Sequence, residues 1–400
     1  MRKNFLLAVL AATGFVACIS RAPSGSLQTD SILLSNSKLA GWTPVNTIAD
    51  QWQWKGDTLI TATNGTGYLR SPQPMENFRL SFEAAGSAED TIDLILSSSA
   101  LPDIGTPFPE GIPINLPNDK WTSYLIESGK TGIRVFANNK LIYSNDRSPG
   151  KKGYLCFVQA GREKSFSNIK LVVLDRPKQA MDLTNPIMDT RFVPLYTGDQ
   201  LDQWDMKPGH INHWTAQAWW INYDGKSQEK DKCLWTKKSY RDFELIADWR
   251  LTREPTREWS PVVLPNGDNA LNDDGSIKQV LELYAGDTGI YLRGHSKNQI
   301  NIGYRYLGSG EIYGYRVDKK MPAEVRAAVT PKVKADNLPG QWNRFIIRMK
   351  GDRLTVILNG ITVIENAQLP GIAAEGPIAL QDDHASDNRF QFANLFIREL

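Results

Sequence analysis

Beyond residue 30 the chain alternates apolar and polar residues in short runs, as in Phe78-Arg79-Leu80-Ser81-Phe82-Glu83, Gly132 to Ala137 and Ile169 to Leu174. Successive side chains of a strand point to opposite faces, so a period of two predicts one buried and one wet face, as in antiparallel sheet. Asn-Asn, Asp-Gly, Gly-Asp and Asn-Gly pairs separate the runs at the intervals of a β-sandwich. Long amphipathic helices are not predicted; the charged stretch Met321 to Asp336, with Ala323-Glu324-Val325-Arg326-Ala327-Ala328, reads as a short helix on a rim.

The second half of the pattern repeats the first. Trp54 to Leu59 answers Trp220 to Gly225, and Tyr68-Leu69-Arg70-Ser71 with Phe78-Arg79-Leu80 answers Leu234-Trp235-Thr236 with Phe243-Glu244-Leu245. Trp121 answers Trp342, and Asn138-Asn139 answers Asn359-Gly360. Gly153-Tyr154-Leu155 with Phe166-Ser167-Asn168-Ile169 answers Gly376-Pro377-Ile378 with Phe392-Ala393-Asn394-Leu395. Five landmarks in one order predict an all-β chain of two tandem β-sandwiches, residues 31–175 and 190–400, joined by an aperiodic linker at 176–189 that contains Pro177 and Pro186.

Composition narrows the partners. At 400 residues the length suits two domains, and 46 Lys+Arg against 44 Asp+Glu leaves a formal charge of +2, too weak a field to gather nucleic acid. The 12 Trp, 13 Tyr and 14 Phe supply flat surfaces suited to stacking on sugars. Three cysteines are too few for a disulfide framework, and Cys156 and Cys233, with apolar neighbours, read as buried thiols.

The first residues read as an address. Arg2 and Lys3 precede the apolar run Phe5 to Val16, too short to span a bilayer. Phe15-Val16-Ala17-Cys18 resembles a lipobox, which implies a signal peptide over 1–17 and a lipid on Cys18. The alternative is a plain secretory signal cut near Ala17. Either way the protein is expected to be exported: periplasmic, or held at the outer membrane by a lipid anchor only.

A family resemblance lies in the second half. Phe192-Val193-Pro194-Leu195-Tyr196-Thr197-Gly198-Asp199-Gln200-Leu201 with Trp204 resembles the "PLFNGKDLxGW" opening of the family known as DUF1080, or the 3-keto-disaccharide hydrolase domain. Gly286-Asp287-Thr288-Gly289-Ile290-Tyr291-Leu292-Arg293-Gly294 and Gly308-Ser309-Gly310-Glu311-Ile312-Tyr313-Gly314-Tyr315-Arg316 are similar to later family segments, as are Gly340-Gln341-Trp342-Asn343 and Ile378-Ala379-Leu380-Gln381. The resemblance implies a concanavalin-like jelly roll, the first half being a diverged copy. It also implies an exported protein that cleaves glycosides or disaccharides oxidised to a ketone at C3 of the glucose ring, as a lyase or a hydrolase.

A C3 ketone acidifies the C2 proton, and its loss gives an enolate that can expel the aglycone from C1. The chemistry needs a base, a positive group for the enolate oxygen and an acid for the leaving oxygen. Glu311 after Gly308-Ser309-Gly310 is the expected acid/base, and Arg293 the expected holder of the enolate, unless it pairs with a carboxylate on the sheet face. Gln299, Asn301, Tyr315 and Arg316 are expected to bind hydroxyls, together with His295 and Gln381, and Tyr304 to stack on sugar, the alternative being that Tyr304 and Tyr315 fill the core. The family usually places His after the Gln at position 381; here Asp382 stands there and His384 comes two residues later, so either is a candidate catalytic group. No cofactor is demanded, and a divalent metal stays open. His210 and His213 read as a surface pair, and the oxygen-rich run Asn266 to Gly275 as Asx turns in preference to a Ca²⁺ loop. A non-catalytic, lectin-like envelope protein is the alternative, and a purely structural surface protein a third. The catalytic reading requires Arg293, Glu311, Gln299 and His384 to meet in one concavity.

Overall fold

A computed structural model of the chain describes residues 30–33, 39, 41–47, 49–117, 120–175, 185–196, 198, 200–382 and 388–400. The export segment with Cys18, most of the linker, and His384 lie outside the described residues.

The fold is all-β, as the alternation predicts, and forms two sandwiches in tandem. In the first, an eight-stranded sheet runs Lys140–Asn145, Gly132–Ala137, Thr122–Gly129, Phe78–Ala85, Ser165–Val173, Thr58–Thr61, Trp52–Lys55, with Asp30–Leu33 also on Ser165–Val173. In the second, the order is Ile361–Gln368, Arg353–Leu358, Asn343–Lys350, Phe243–Leu251, Phe390–Glu399, Trp220–Tyr223, Trp214–Gln217, with Val193–Pro194 also on Phe390–Glu399. The two orders correspond strand for strand. The facing sheets correspond too: Thr43–Val45, Gly67–Arg70, Tyr154–Gln159, Thr91–Ser98, Ile112–Pro117 against Leu234–Tyr240, Gly376–Leu380, Thr288–Tyr291, Gln299–Ile302, which lacks only the first strand.

The landmark pairs mark equivalent geometry. Asn138 and Asn139 (φ 47° and 64°) and Asn359 and Gly360 (φ 51° and 82°) turn equivalent hairpins with the two positive φ angles that a two-residue type I′ turn demands. Asn168 and Asn394 (φ 53° and 46°) sit where the last strand of each sandwich slips its register. Between the sheets of each half lies an apolar core: Phe82, Phe157 and Phe166 meet at ring distances of 5.3–6.2 Å in the first, and Phe345, Ile347, Val356 and Phe392 are buried in the second. Each such side chain contributes about 1.5–3 kcal/mol when fully buried.

The halves differ in their connections. Residues 86–90 link two strands of the first half where 252–287 link their equivalents in the second, and 118–121 correspond to 303–342. Both long connections lie over the four-stranded sheet.

The same face of the first half is closed. Tyr68, Tyr154 and Cys156 point away from the first core and cluster with Phe192, Ile246 and Phe396 of the second half. Asp248 lies beside this cluster, pairs with Arg344 at 2.6 and 2.9 Å, and accepts hydrogen bonds from the Gly105 backbone N–H (3.0 Å) and Asn394 Nδ2 (2.7 Å). Asn46 donates to Asn394 Oδ1 at 3.0 Å. Burial in this contact pushes the Cys156 thiol up to about 12, and Cys156 and Cys233 are both buried thiols outside any disulfide.

Candidate functional site

The four-stranded sheet presents alternate side chains to a cavity of about 670 Å³. Along Gln299–Ile302, Ile300 and Ile302 enter the core while Gln299 and Asn301 line the cavity. On the paired strand Gly289 lies opposite Asn301 and Tyr291 opposite Gln299. A Cβ at Gly289 would sit 2.8 Å from both the Gln299 amide and Gln381 Oε1, so glycine there makes room for two amides on the floor. Gly289→Val is expected to fill this space, weakening the binding of a ligand on the cavity floor about tenfold or more while leaving a folded protein, as checked by titration calorimetry and circular dichroism.

Glu311 is delivered by the second long connection. Gly308 and Gly310 take φ of 79° and 112°, and Ser309 between them is fixed by Asp336, which accepts from its backbone N–H (3.0 Å) and its hydroxyl. Burial pushes the Asp336 carboxyl above the usual range. The turn adds Glu311 to the sheet edge: Asn301 N–H donates to Glu311 O at 2.9 Å, and Gly310 N–H to Asn301 O at 2.8 Å. The Glu311 side chain is 7 % exposed and accepts from Asn301 Nδ2 (3.2 Å) and from Nε of Arg316, on the short helix Tyr313–Arg316. The floor is therefore one connected row, with Gln299 Nε2 donating to Asn301 Oδ1 (3.0 Å) and to Gln381 Oε1 (2.5 Å).

The walls carry further charge. Arg305 pairs with Asp287 at 2.9 Å and lies 5.0 Å from the Tyr284 ring. His295 lines the rim; its Nδ1 accepts from the Lys297 backbone N–H at 2.9 Å, which leaves Nε2 as the protonated nitrogen of the neutral ring. The first connection folds as an antiparallel ribbon, Thr256–Pro261 with Gln279–Tyr284, and contributes Ser260, Pro261, Val263 and Asn269 to the wall. Among the described residues no group of three or more His, Cys, Asp or Glu side chains is set to hold a metal ion.

Glu311, Gln299, Asn301, Arg316, His295 and Gln381 thus line one cavity. Arg293 does not join them. Its φ of 50° breaks the alternation that would have placed it beside Tyr291, and its buried guanidinium donates to Arg241 O (2.9 Å), Gly351 O (2.7 Å) and Ala373 O (2.9 Å) and pairs with Asp242. Burial holds it below the usual guanidinium range. Its role is to tie three turns together, correcting the expectation of an enolate holder. Arg293→Ala should cost about 1–3 kcal/mol in a denaturant titration, from the buried carbonyls left unpaired, without altering ligand binding in the cavity.

Asp382 is fully buried and accepts from the Tyr223 hydroxyl inside the core, so it too is not a cavity group. Tyr315 is a core residue donating to Pro370 O at 3.2 Å, and the Tyr304 ring lies 3.7 Å from Lys334 Nζ, outside the lining. Sequence reasoning missed Arg305, Lys297, Tyr313, the ribbon and the Asp287–Arg305 pair. Asp287 stands within the quoted Gly-Asp-Thr-Gly segment, the one signal that pointed to it.

A β-sandwich sheet that carries a row of amides and one buried carboxylate–guanidinium pair on the floor of a cavity is equipped to hold a small polar ligand. The chain belongs to the family of the 3-keto-alpha-glucoside-1,2-lyase-like domain, which matches residues 191–398. Among solved structures it is similar to a Parabacteroides distasonis protein assigned as a glycosyl hydrolase, at 19% identity over 53% of this chain and 84% of that one (TM-score 0.37). A second protein so assigned from the same organism shows 20% identity over 53% and 100% (TM-score 0.35). A carbohydrate-binding module from Bacillus subtilis shows 13% identity over 52% and 96% (TM-score 0.27). No curated protein matches the chain.

Proposed function

We propose that the second sandwich cleaves glycosides already oxidised at C3, by elimination across C1 and C2. Glu311 takes the C2 proton, and the electron pair moves onto the C3 oxygen as an enolate. Negative charge leaves the Glu311 carboxylate as it appears on the substrate, and Arg316, paired with Glu311 before the step, becomes the counter-charge of the enolate. The enolate then expels the aglycone, breaking the C1–O bond, and Glu311 returns its proton to the leaving oxygen. Water added to the resulting enone would complete a net hydrolysis. Gln299, Asn301 and Gln381 orient the hydroxyls.

The observation that carries this reading is Glu311: a buried carboxylate on the floor of an open cavity, bonded to a guanidinium and an amide. On the export side, the reading is of a chain carried out of the cytoplasm and anchored at Cys18, for which the basic, apolar and Ala17-Cys18 order is the support. The alternative, a glycan-binding protein without turnover, has Asp382 in its favour, since it replaces the family's His and turns inward to Tyr223. Incubation with an aryl 3-keto-glucoside separates the two. Aglycone release supports the elimination, and a chelator decides whether a divalent metal takes part; retained binding without release supports the alternative.

A further inference from the structure

The ribbon has no counterpart in the first half, and it stands as a two-stranded sheet of its own. A lone two-stranded ribbon is marginal in water unless something holds it. Trp259, Leu271 and Ile277 are 65%, 62% and 46% exposed, so these three do not do so. Glu282, which pairs with Lys334 at 3.5 Å, holds one strand, and the tip holds the other end. Asp268 pairs with Arg326 and, at 2.6 Å, with Lys319. Gly267 O accepts from Arg316 at 3.4 Å, and Arg326 Nε donates to Arg316 O at 3.0 Å. Arg316 is therefore gripped at its guanidinium by Glu311 and Gly267, and at its backbone by the arginine that holds Asp268. Gly267 has a φ of 85°, and a Cβ there would lie 2.9 Å from Thr330 Oγ1 and 3.1 Å from Arg316 Cγ, so the close approach needs glycine.

We propose that the Gly267–Asp268 tip is a clasp that sets the position of Arg316 on Glu311, with Asp268 as a positioning residue acting through Arg326. This rests on the reading of Glu311 and Arg316 as the reacting pair, but the clasp itself is measurable without substrate. The run Asn266 to Gly275, rich in oxygen donors, thereby acquires a use for its first acid, Asp268, as a partner of Lys319 and Arg326.

Hydrogen bonding to Lys319 and Arg326 holds the Asp268 carboxyl at about 2. A carboxyl depressed in the folded state stabilises it above the ordinary carboxylate range, and that contribution is lost as pH falls toward about 2. The clasp therefore stays shut across neutral and mildly acidic conditions.

The test is amide hydrogen exchange over 313–317 in the full chain, where Arg316 N–H donates to Ile312 O and Val317 N–H to Tyr313 O. Asp268→Ala and Gly267→Ala should each speed exchange there about tenfold or more, and Asp268→Glu should restore protection. Unchanged exchange in both variants overturns the clasp. For the link to catalysis, Asp268→Ala should lower kcat in the native background and add nothing in an Arg316→Ala background. Additive losses would show Asp268 acting elsewhere and also overturn it. If the unmodified protein releases no aglycone at all, the functional reading fails and the exchange result alone decides the clasp.

Discussion

Replacing Glu311 by Gln is expected to lower kcat for aglycone release by about 10²–10⁴-fold, the range supplied by a positioned proton-transfer group. Gln keeps the shape of the side chain, and its single carbonyl oxygen can still accept from Arg316 Nε or from Asn301 Nδ2, one of the two donors that the carboxylate serves. The KM should stay within a few-fold of the native value, because Gln299 and Gln381 make no hydrogen bond to residue 311 and keep their own. Binding and fold retained with turnover lost is the signature of a missing base. A kcat within about threefold of native would take Glu311 out of the reaction.

The second large effect concerns stability. Asp248→Ala removes a fully buried carboxylate and strands the Arg344 guanidinium, itself 6 % exposed, along with the Gly105 backbone N–H, whereas Asn394 Nδ2 keeps Asp103 O (3.2 Å) and Thr106 O (3.0 Å) as acceptors. Breaking such a pair costs about 3–5 kcal/mol, against about 0–1 kcal/mol for an ion pair on the surface. Because Gly105 belongs to the first sandwich and Arg344 to the second, the loss should fall on their contact. Urea unfolding of Asp248→Ala should show a midpoint shifted downward and two separated transitions. A single transition with unchanged midpoint would mean that the contact contributes little. The location of this contact matters for function as well. It covers the face of the first sandwich equivalent to the cavity-bearing face of the second, so among the described residues that face is closed in the first half and carries the cavity in the second.

Much of the architecture could be read from the chain because it rests on local signals. Period-two alternation marks Phe78–Ala85 and Ser165–Val173, and the paired Asn turns at 138–139 and 359–360 fix equivalent hairpins. Gln299 and Asn301 could be read as cavity groups for the same reason, and Glu311 because flanking glycines mark an unusual backbone. Arg293 could not. Alternation places it beside Tyr291, and only its positive φ, which a sequence does not display in an arginine, turns it away. Asp382 failed differently: a carboxylate after a sheet strand looks exposed until Tyr223 closes over it from another strand. Arg305 and the ribbon acquire meaning only when two long connections fold over one sheet, a long-range event with no periodic trace.

The proposed elimination begins with loss of the proton on C2, and an aryl 3-keto-glucoside deuterated at that carbon tests this most directly. The account predicts a primary isotope effect on aglycone release, with the label lost from the sugar. Release at the same rate from both substrates, with deuterium retained at C2, would contradict it.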